Sequence, residues 1–283
     1  MVALLLSLPV AAEADQAVLR VMTYNIRLDT PSDGVNNWSH RRDWLTSQIH
    51  WLRPDIFGLQ EVVINQKRDI ANAMLDFVLV GNGRDDGKDA GESSPIGYNV
   101  HRFSLLGSGT FWLSPTPNVP SKGWDAAYPR VATWVRLREK TGGKLILVIN
   151  THWDHIGGEA RKQSGLLLKQ WLLDHRKRRD HVILIGDFNC ETESEPLKIL
   201  TDLNSPVWLR NASLNSTSRP FGPSGTFNDF KLQPETPRTI DHILVGGHKG
   251  GEILINRYAV IAQNIDGRMI SDHYPVIAEL QVK

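Results

Sequence analysis

The chain has 283 residues, 41% of them hydrophobic, which is enough to bury a large core. Its 32 Lys and Arg against 31 Asp and Glu leave a formal net charge of +1, so overall charge gives no sign of a nucleic-acid partner, although a local basic patch stays open. The single cysteine, Cys190, excludes an internal disulfide and a thiolate metal cage.

The chain starts MVALLLSLPVAAEADQ. An apolar run over 2–12 meets Ala12-Glu13-Ala14, a small-x-small cleavage pattern. It is too short to span a bilayer. Residues 1–14 therefore read as the remnant of a signal peptide, with a secreted or periplasmic location, although no Lys or Arg precedes the run. Residues 15–283 read as one domain, with no transmembrane anchor.

A strand is expected over 18–26 and a helix over 40–55, where Leu45, Ile49 and Leu52 share a face and Pro54 ends the run. A short buried strand at 55–61 follows, then a helix to about Leu75 and a strand over 77–81. The charged, Gly-rich stretch 82–95 reads as a surface loop near a site. Strands are expected at 109–114, 130–139 and 144–155. An amphipathic helix is expected over 159–179, with its basic residues in the last turn, where cations suit the helix dipole. Strands recur at 181–187, 239–245, 253–261 and 275–282, giving a mixed α/β chain.

Several of these strands end in polar residues. VILIGDFN closes with Asp187 and Asn189, which would lie on one face of a strand with Phe188 on the other. A turn held by an Asx hydrogen bond explains that pair equally well. The pattern recurs, however, at Asn25, at Gln60-Glu61, at His152, Asp154 and His155, at Asp241-His242, and at Asp272-His273. Burying so many polar groups separately is costly, because each needs a partner. One shared polar site at neighbouring strand ends is the economical account. Carboxylates with Asn and His, and no Cys, suit a hard oxygen-ligated ion such as Mg²⁺ better than structural zinc.

The blocks TYNIR, DIFGLQE, INTHWDH, LIGDFN, TFNDF, TIDHILV and SDHYPV, in that order, resemble the signatures of the endonuclease/exonuclease/phosphatase superfamily. Other stretches resemble a bacterial, often exported, subgroup of it. The resemblance implies a DNase I-like four-layer sandwich, two β-sheets face to face with helices outside. It implies Glu61 and Asn25 as ligands of Mg²⁺, with Mn²⁺ as a possible substitute. It implies Asp187 as acceptor of a proton from the attacking water and Asn189 as holder of that water or the phosphate. His273, oriented by Asp272, and His152 would donate to the phosphate from opposite sides, and Asp241 would support the histidines or a second ion. Asp154, His155 and Arg102 stand as candidate substrate contacts. Around Asp241 the chain departs from the pattern, because an Arg commonly sits two before that aspartate and Thr239 stands there, with Arg238 one step earlier.

The implied activity is Mg²⁺-dependent hydrolysis of a phosphate ester by metal-assisted attack of water, foremost as a phosphodiesterase of the nuclease or small-diester kind. An exported phosphatase or a sphingomyelinase-like enzyme is the alternative. The substrate stays open among nucleic acid, nucleotide, phospholipid head group and sugar phosphate, and no obligate protein partner is expected. A non-catalytic module on the same fold would have lost Glu61, Asp187 or His273, and all three are present. A sugar-binding protein, suggested by the nine tryptophans, would lack the carboxylate cluster.

Overall fold

The computed structural model describes residues 18–246 and 253–283, so the signal-peptide expectation lies outside the described residues. In chain order the strands are β1 (Leu19–Asn25), β2 (Ile56–Gln60), β3 (Phe77–Val80), β4 (Ile96–Asn99), β5 (Phe103–Trp112), β6 (Val131–Glu139), β7 (Leu145–His152), β8 (Asp180–Asp187), β9 (Arg210–Asn211), β10 (Asp241–Gly246), β11 (Ile253–Val260), β12 (Asn264–Ile265), β13 (Arg268–Met269) and β14 (Val276–Val282). The helices are α1 (Trp38–Leu52), α2 (Ile64–Ala73), α3 (Gly158–His175), α4 (Glu195–Thr201) and α5 (Ala212–Asn215).

Side-chain alternation builds the layers. In β8, Ile183 and Ile185 face one way and Val182 and Leu184 the other. The first pair joins Leu19 and Val21 of β1, Val135 of β6 and Val148 of β7 in a core between two sheets. The second pair packs under Leu168 and Leu172 of α3 and Leu197 of α4. On the far side, Met22 and Tyr24 of β1 pack with Leu45 and Ile49 of α1 and Ile70 of α2. Two six-stranded mixed sheets, ordered β11-β14-β1-β2-β4-β3 and β5-β6-β7-β8-β10-β9, are therefore stacked face to face with helices outside. This is the expected four-layer sandwich.

Local chemistry sets the element ends. Asn37 caps α1 by accepting from Ser39 N, and Arg53 closes it in a left-handed conformation before Pro54. The Asp125 carboxylate caps α3 from a distant loop, accepting from Ala160 N at 2.6 Å and Glu159 N at 3.2 Å. α3 stops at His175, so the basic residues 176–179 lie beyond its last turn rather than in it. Lys177 N instead donates to Asp180 at the mouth of β8. β5 starts six residues earlier than the expected 109, because Gly107, Ser108 and Gly109 disguise a strand whose register shifts between Leu105 and Gly107.

A polar layer ties the sheets together below the strand ends. Gln60 Nε2 donates to Thr23 Oγ1 at 3.0 Å and to Asn150 Oδ1 at 2.7 Å. Asn150 Nδ2 in turn reaches the carbonyls of Leu59 and Pro95. Position 58 must be glycine for this crossing, since a Cβ there would lie 2.5 Å from Asn150 Cγ.

Candidate active site

The inward face of the sandwich turns polar at one end. Asn25, His152, Asp187 and Asp241 continue the inward-facing rows of β1, β7, β8 and β10 past the last apolar residue. Register makes them neighbours. Asp187 pairs across to His152 on one side and to Asp241 on the other. Glu61 follows β2 and by alternation would face the helices, but its φ of +62° turns the backbone. Its carboxylate therefore meets Asn25, whose Nδ2 lies 3.0 Å from Glu61 Oε1 and 3.0 Å from Asp187 Oδ2. Glu61, His152 and Asp187 line a cleft of about 750 Å³, behind which Asn25 and Asp241 are buried.

His273 Nδ1 donates to Asp241 Oδ2 at 2.8 Å, and its Nε2 lies 3.7 Å from Asp187 Oδ2. Asp241, and not Asp272 as expected, therefore orients this ring. Asp272 is adjacent in sequence, but its carboxylate takes the Ser271 hydroxyl and faces Arg27 Nη1 at 3.9 Å. Burial opposes charge on His273, yet Asp241 and then Asp187 outweigh it and lift its pKa to about 10. The imidazole is thus a cation at neutral pH. Burial, and next the charge of Asp241, raise the Asp187 carboxyl to about 7. Burial likewise raises Asp272 to about 6.

Asn189 does not lie on the strand with Asp187. Its φ of +48° places it in a left-handed turn, and its N–H donates to Asp187 Oδ1 at 2.9 Å. The Asx turn and the shared site thus coexist. Asn189 Nδ2 donates to the Trp153 carbonyl at 3.0 Å and lies 3.1 Å from His152 Nε2. That nitrogen of His152 therefore accepts, and the ring proton sits on Nδ1, 3.9 Å from Glu92 Oε2. Burial, reinforced by Arg130 and Arg84, holds the His152 pKa well below 6.5, so the ring is neutral. Trp153 is fully buried, edge-on to Phe188.

The donor set suits a hard divalent cation. Two carboxylates converge on one amide nitrogen, where a cation would relieve the same repulsion. Among the described residues, Asp187, Asp241 and His273 also offer ligand atoms within 4.8 Å of one another. His273, however, has its Nδ1 committed to Asp241, and Asn25 turns its Nδ2 to the site while its Oδ1 accepts from Arg27 N, so the oxygens that face one another are those of the Glu61 and Asp187 carboxylates.

Apart from His155, the opposite wall is built from residues the sequence did not single out as contacts. Arg84 and Glu92, from the loop before β4, pair at 2.7 Å. The Arg84 guanidinium lies 5.0 Å over the Tyr128 ring, and Tyr128 stacks on His155. Arg130 Nη2 donates to His155 Nδ1 at 2.9 Å. Arg27, Phe227, Phe230 and Arg238 complete the rim. The loop over 82–95 was marked as close to a site, but which of its side chains turn inward depends on how Trp112 Nε1 pins the Arg84 carbonyl.

Two expected substrate contacts lie elsewhere. Asp154 is buried beneath the wall, bound to Arg130 Nε at 3.2 Å and to the N–H groups of Ile156 and Gly157. Burial would raise its pKa, but these backbone donors and Arg130 bring it to about 2. It positions Arg130 rather than a substrate. Arg102 pairs with Asp55 and Glu139 at the far end of β6, the end opposite the cleft. His155 does line the cleft.

The endonuclease/exonuclease/phosphatase family model matches residues 22–273. The chain is 34% identical to the endonuclease/exonuclease/phosphatase of Bacteroides vulgatus, covering 94% of this chain and 100% of that one with a TM-score of 0.88. It is 34% identical to the mannosyl-6-phosphatase of Bacteroides thetaiotaomicron, covering 93% and 99% with a TM-score of 0.85. An uncharacterized protein of Acanthamoeba polyphaga mimivirus is 27% identical over 92% of this chain and 98% of its own length. A match across almost every strand of both sheets, with the polar strand ends inside it, leaves one conclusion: the chain belongs to the endonuclease/exonuclease/phosphatase family and is a hydrolase of phosphate esters.

Proposed function

We propose that this enzyme is Mg²⁺-dependent and cleaves a terminal phosphate from a small or single-ended ester by attack of water on phosphorus. The observation that carries this reading is the row Asp241–His273–Asp187, linked to Glu61 through Asn25 on one face of the cleft. Asp187, with a carboxyl near neutrality, takes the proton of the attacking water. His273, held as imidazolium by Asp241, donates from Nε2 to a phosphoryl oxygen and stabilises the charge that develops there. Asn189 fixes His152 and, through its backbone N–H, one oxygen of Asp187. Glu61 would hold the cation, which would supply Lewis-acid polarisation of the phosphoryl group and acidify water, while Asn25 Nδ2 keeps the Glu61 and Asp187 carboxylates together.

The monoester is preferred over the expected diester because a relative at 34% identity, matched along its whole length, is a phosphatase. The test is a parallel assay with Mg²⁺ or Mn²⁺ on p-nitrophenyl phosphate, bis-p-nitrophenyl phosphate, short RNA, duplex DNA and sphingomyelin. Preferred turnover of the monoester supports the reading. Preference for any of the diesters overturns its monoester part and returns the diesterase.

A further inference from the structure

The cleft has two faces with different electrostatics. The catalytic face collects Glu61, Asp187 and His273, and the other collects Arg84, Glu92, Tyr128, Arg130 and His155. The second face is close to the first: Glu92 Oε2 lies 3.9 Å from His152 Nδ1, and His152 Nε2 lies 3.5 Å from Asp187 Oδ2. One imidazole ring therefore separates it from the reacting end.

The two guanidiniums beside Tyr128 and His155, those of Arg84 and Arg130, are each paired with a carboxylate. Arg84 has Glu92 at 2.7 Å, and Arg130 has the buried Asp154 at 3.2 Å. His155 accepts from Arg130 at Nδ1, so its proton sits on Nε2 and the ring is neutral. The wall is thus polar and without net charge. A second phosphate would need unpaired positive charge there and would meet the Glu92 carboxylate instead. A hydroxyl donates and accepts at once, and this wall offers both functions. Glu92 accepts, and the His155 Nε2–H donates. Arg84 Nε is buried and has no hydrogen-bond partner among the described residues. Tyr128 is half exposed and adds apolar area of the kind that carbon-bound ring hydrogens contact.

We propose that Glu92, Arg84, Tyr128 and His155 form a hydroxyl-reading subsite, and that the substrate is a singly phosphorylated polyol of sugar or cyclitol size whose hydroxyls lie against this wall. The proposal rests on the phosphomonoesterase reading of the catalytic face. The wall is rigid rather than a lid, because the Arg84 carbonyl accepts from Trp112 Nε1 at 2.7 Å and Ser93 N donates to the Val62 carbonyl at 2.8 Å.

The test is calorimetric binding to the Asp187→Asn protein with Mg²⁺, which needs no turnover. The probes are mannose 6-phosphate, glucose 6-phosphate, inositol 1-phosphate, inorganic phosphate and glucose 1,6-bisphosphate. The best polyol monophosphate should bind about tenfold or more tighter than inorganic phosphate, and the bisphosphate should gain nothing further. Adding Glu92→Ala or Tyr128→Ala should cut that margin to about threefold or less. Glu92→Gln, which unbalances Arg84, should tighten the bisphosphate relative to the monophosphate. A misfolded variant would instead weaken inorganic phosphate as well. Equal binding of inorganic phosphate and every polyol monophosphate would overturn the subsite. So would a bisphosphate preferred by the unmodified wall, or a margin that survives both Glu92→Ala and Tyr128→Ala. Failure of the wild-type enzyme on p-nitrophenyl phosphate would instead strike the hydrolase reading and leave the binding margin as it was measured.

Discussion

Asp241 Oδ2 receives the Nδ1–H of His273 at 2.8 Å, although 32 residues separate the two. The carboxylate that adjoins His273 in sequence, Asp272, faces Arg27 instead. A buried imidazolium is sustained only by a counter-charge in contact with it, and Asp241 is the group that supplies it. Residues 226–230 brace the arrangement from behind, with the Phe227 ring edge-on to His273 at 5.0 Å.

Asp241→Asn should therefore lower turnover by on the order of a hundredfold or more, since it removes the charge that keeps the His273 donor protonated. The alkaline limb of the pH–rate profile should move to lower pH, because Asp241 is the largest influence raising His273. Asp272→Asn should shift that limb far less. Steady-state profiles of both variants measure this, and equal shifts would remove Asp241 from its role.

Asp187→Asn should abolish turnover and stabilise the chelator-treated protein at neutral pH. Burial, and then Asp241, lift this carboxyl from 3.8 to about 7. The folded chain thus holds a proton that the unfolded chain releases. Its stabilising contribution is complete below 3.8 and is lost as the pH climbs through about 7. Asparagine is neutral throughout and escapes that loss. A Tm gain of about 2 °C or more at pH 7.5, shrinking toward pH 4, is the expected scan, and a lower Tm at pH 7.5 would contradict it.

Glu61→Gln should act mainly on metal dependence. The side chain keeps its shape but can accept from only one of Leu28 N and Asn25 Nδ2, and it loses the charge that faces the cleft. Activity titrated against Mg²⁺ should show a half-saturation raised about tenfold or more, with partial recovery at excess Mg²⁺. An unchanged half-saturation with reduced turnover would move the cation elsewhere.

His242 predicts acid sensitivity outside the reacting groups. Burial lowers its pKa from 6.5, and its Nε2–H donates to the Cys190 carbonyl at 2.9 Å. The folded chain excludes a proton that the unfolded chain accepts. The stability this gives is complete above 6.5 and is lost as the pH falls below it. Urea midpoints should therefore drop between pH 7 and pH 5, and His242→Gln should flatten part of that drop.

The sequence by itself determined a mixed α/β chain and the buried stretches in it, while the four layers followed from the family resemblance of its blocks. The unbroken apolar run of VILIGD and the helical spacing of Leu45 and Ile49 report burial directly, because a strand or helix must hide its apolar side whatever it packs against. The same logic marked Asn25, His152, Asp187 and Asp241 as one set, since polar residues continuing an apolar row must find partners. Only the tertiary structure decided which partners those were. Asp241 rather than Asp272 holds His273, Asp154 serves Arg130, and Arg102 lies at the opposite end of its sheet. The facing wall was illegible for the same reason: Arg84, Glu92 and Tyr128 sit on loops, where no periodicity fixes direction and only long-range contacts such as Trp112 to the Arg84 carbonyl aim the side chains. Local pattern encodes which face is buried, whereas contact between groups far apart in the chain is encoded only in the packing that brings them together.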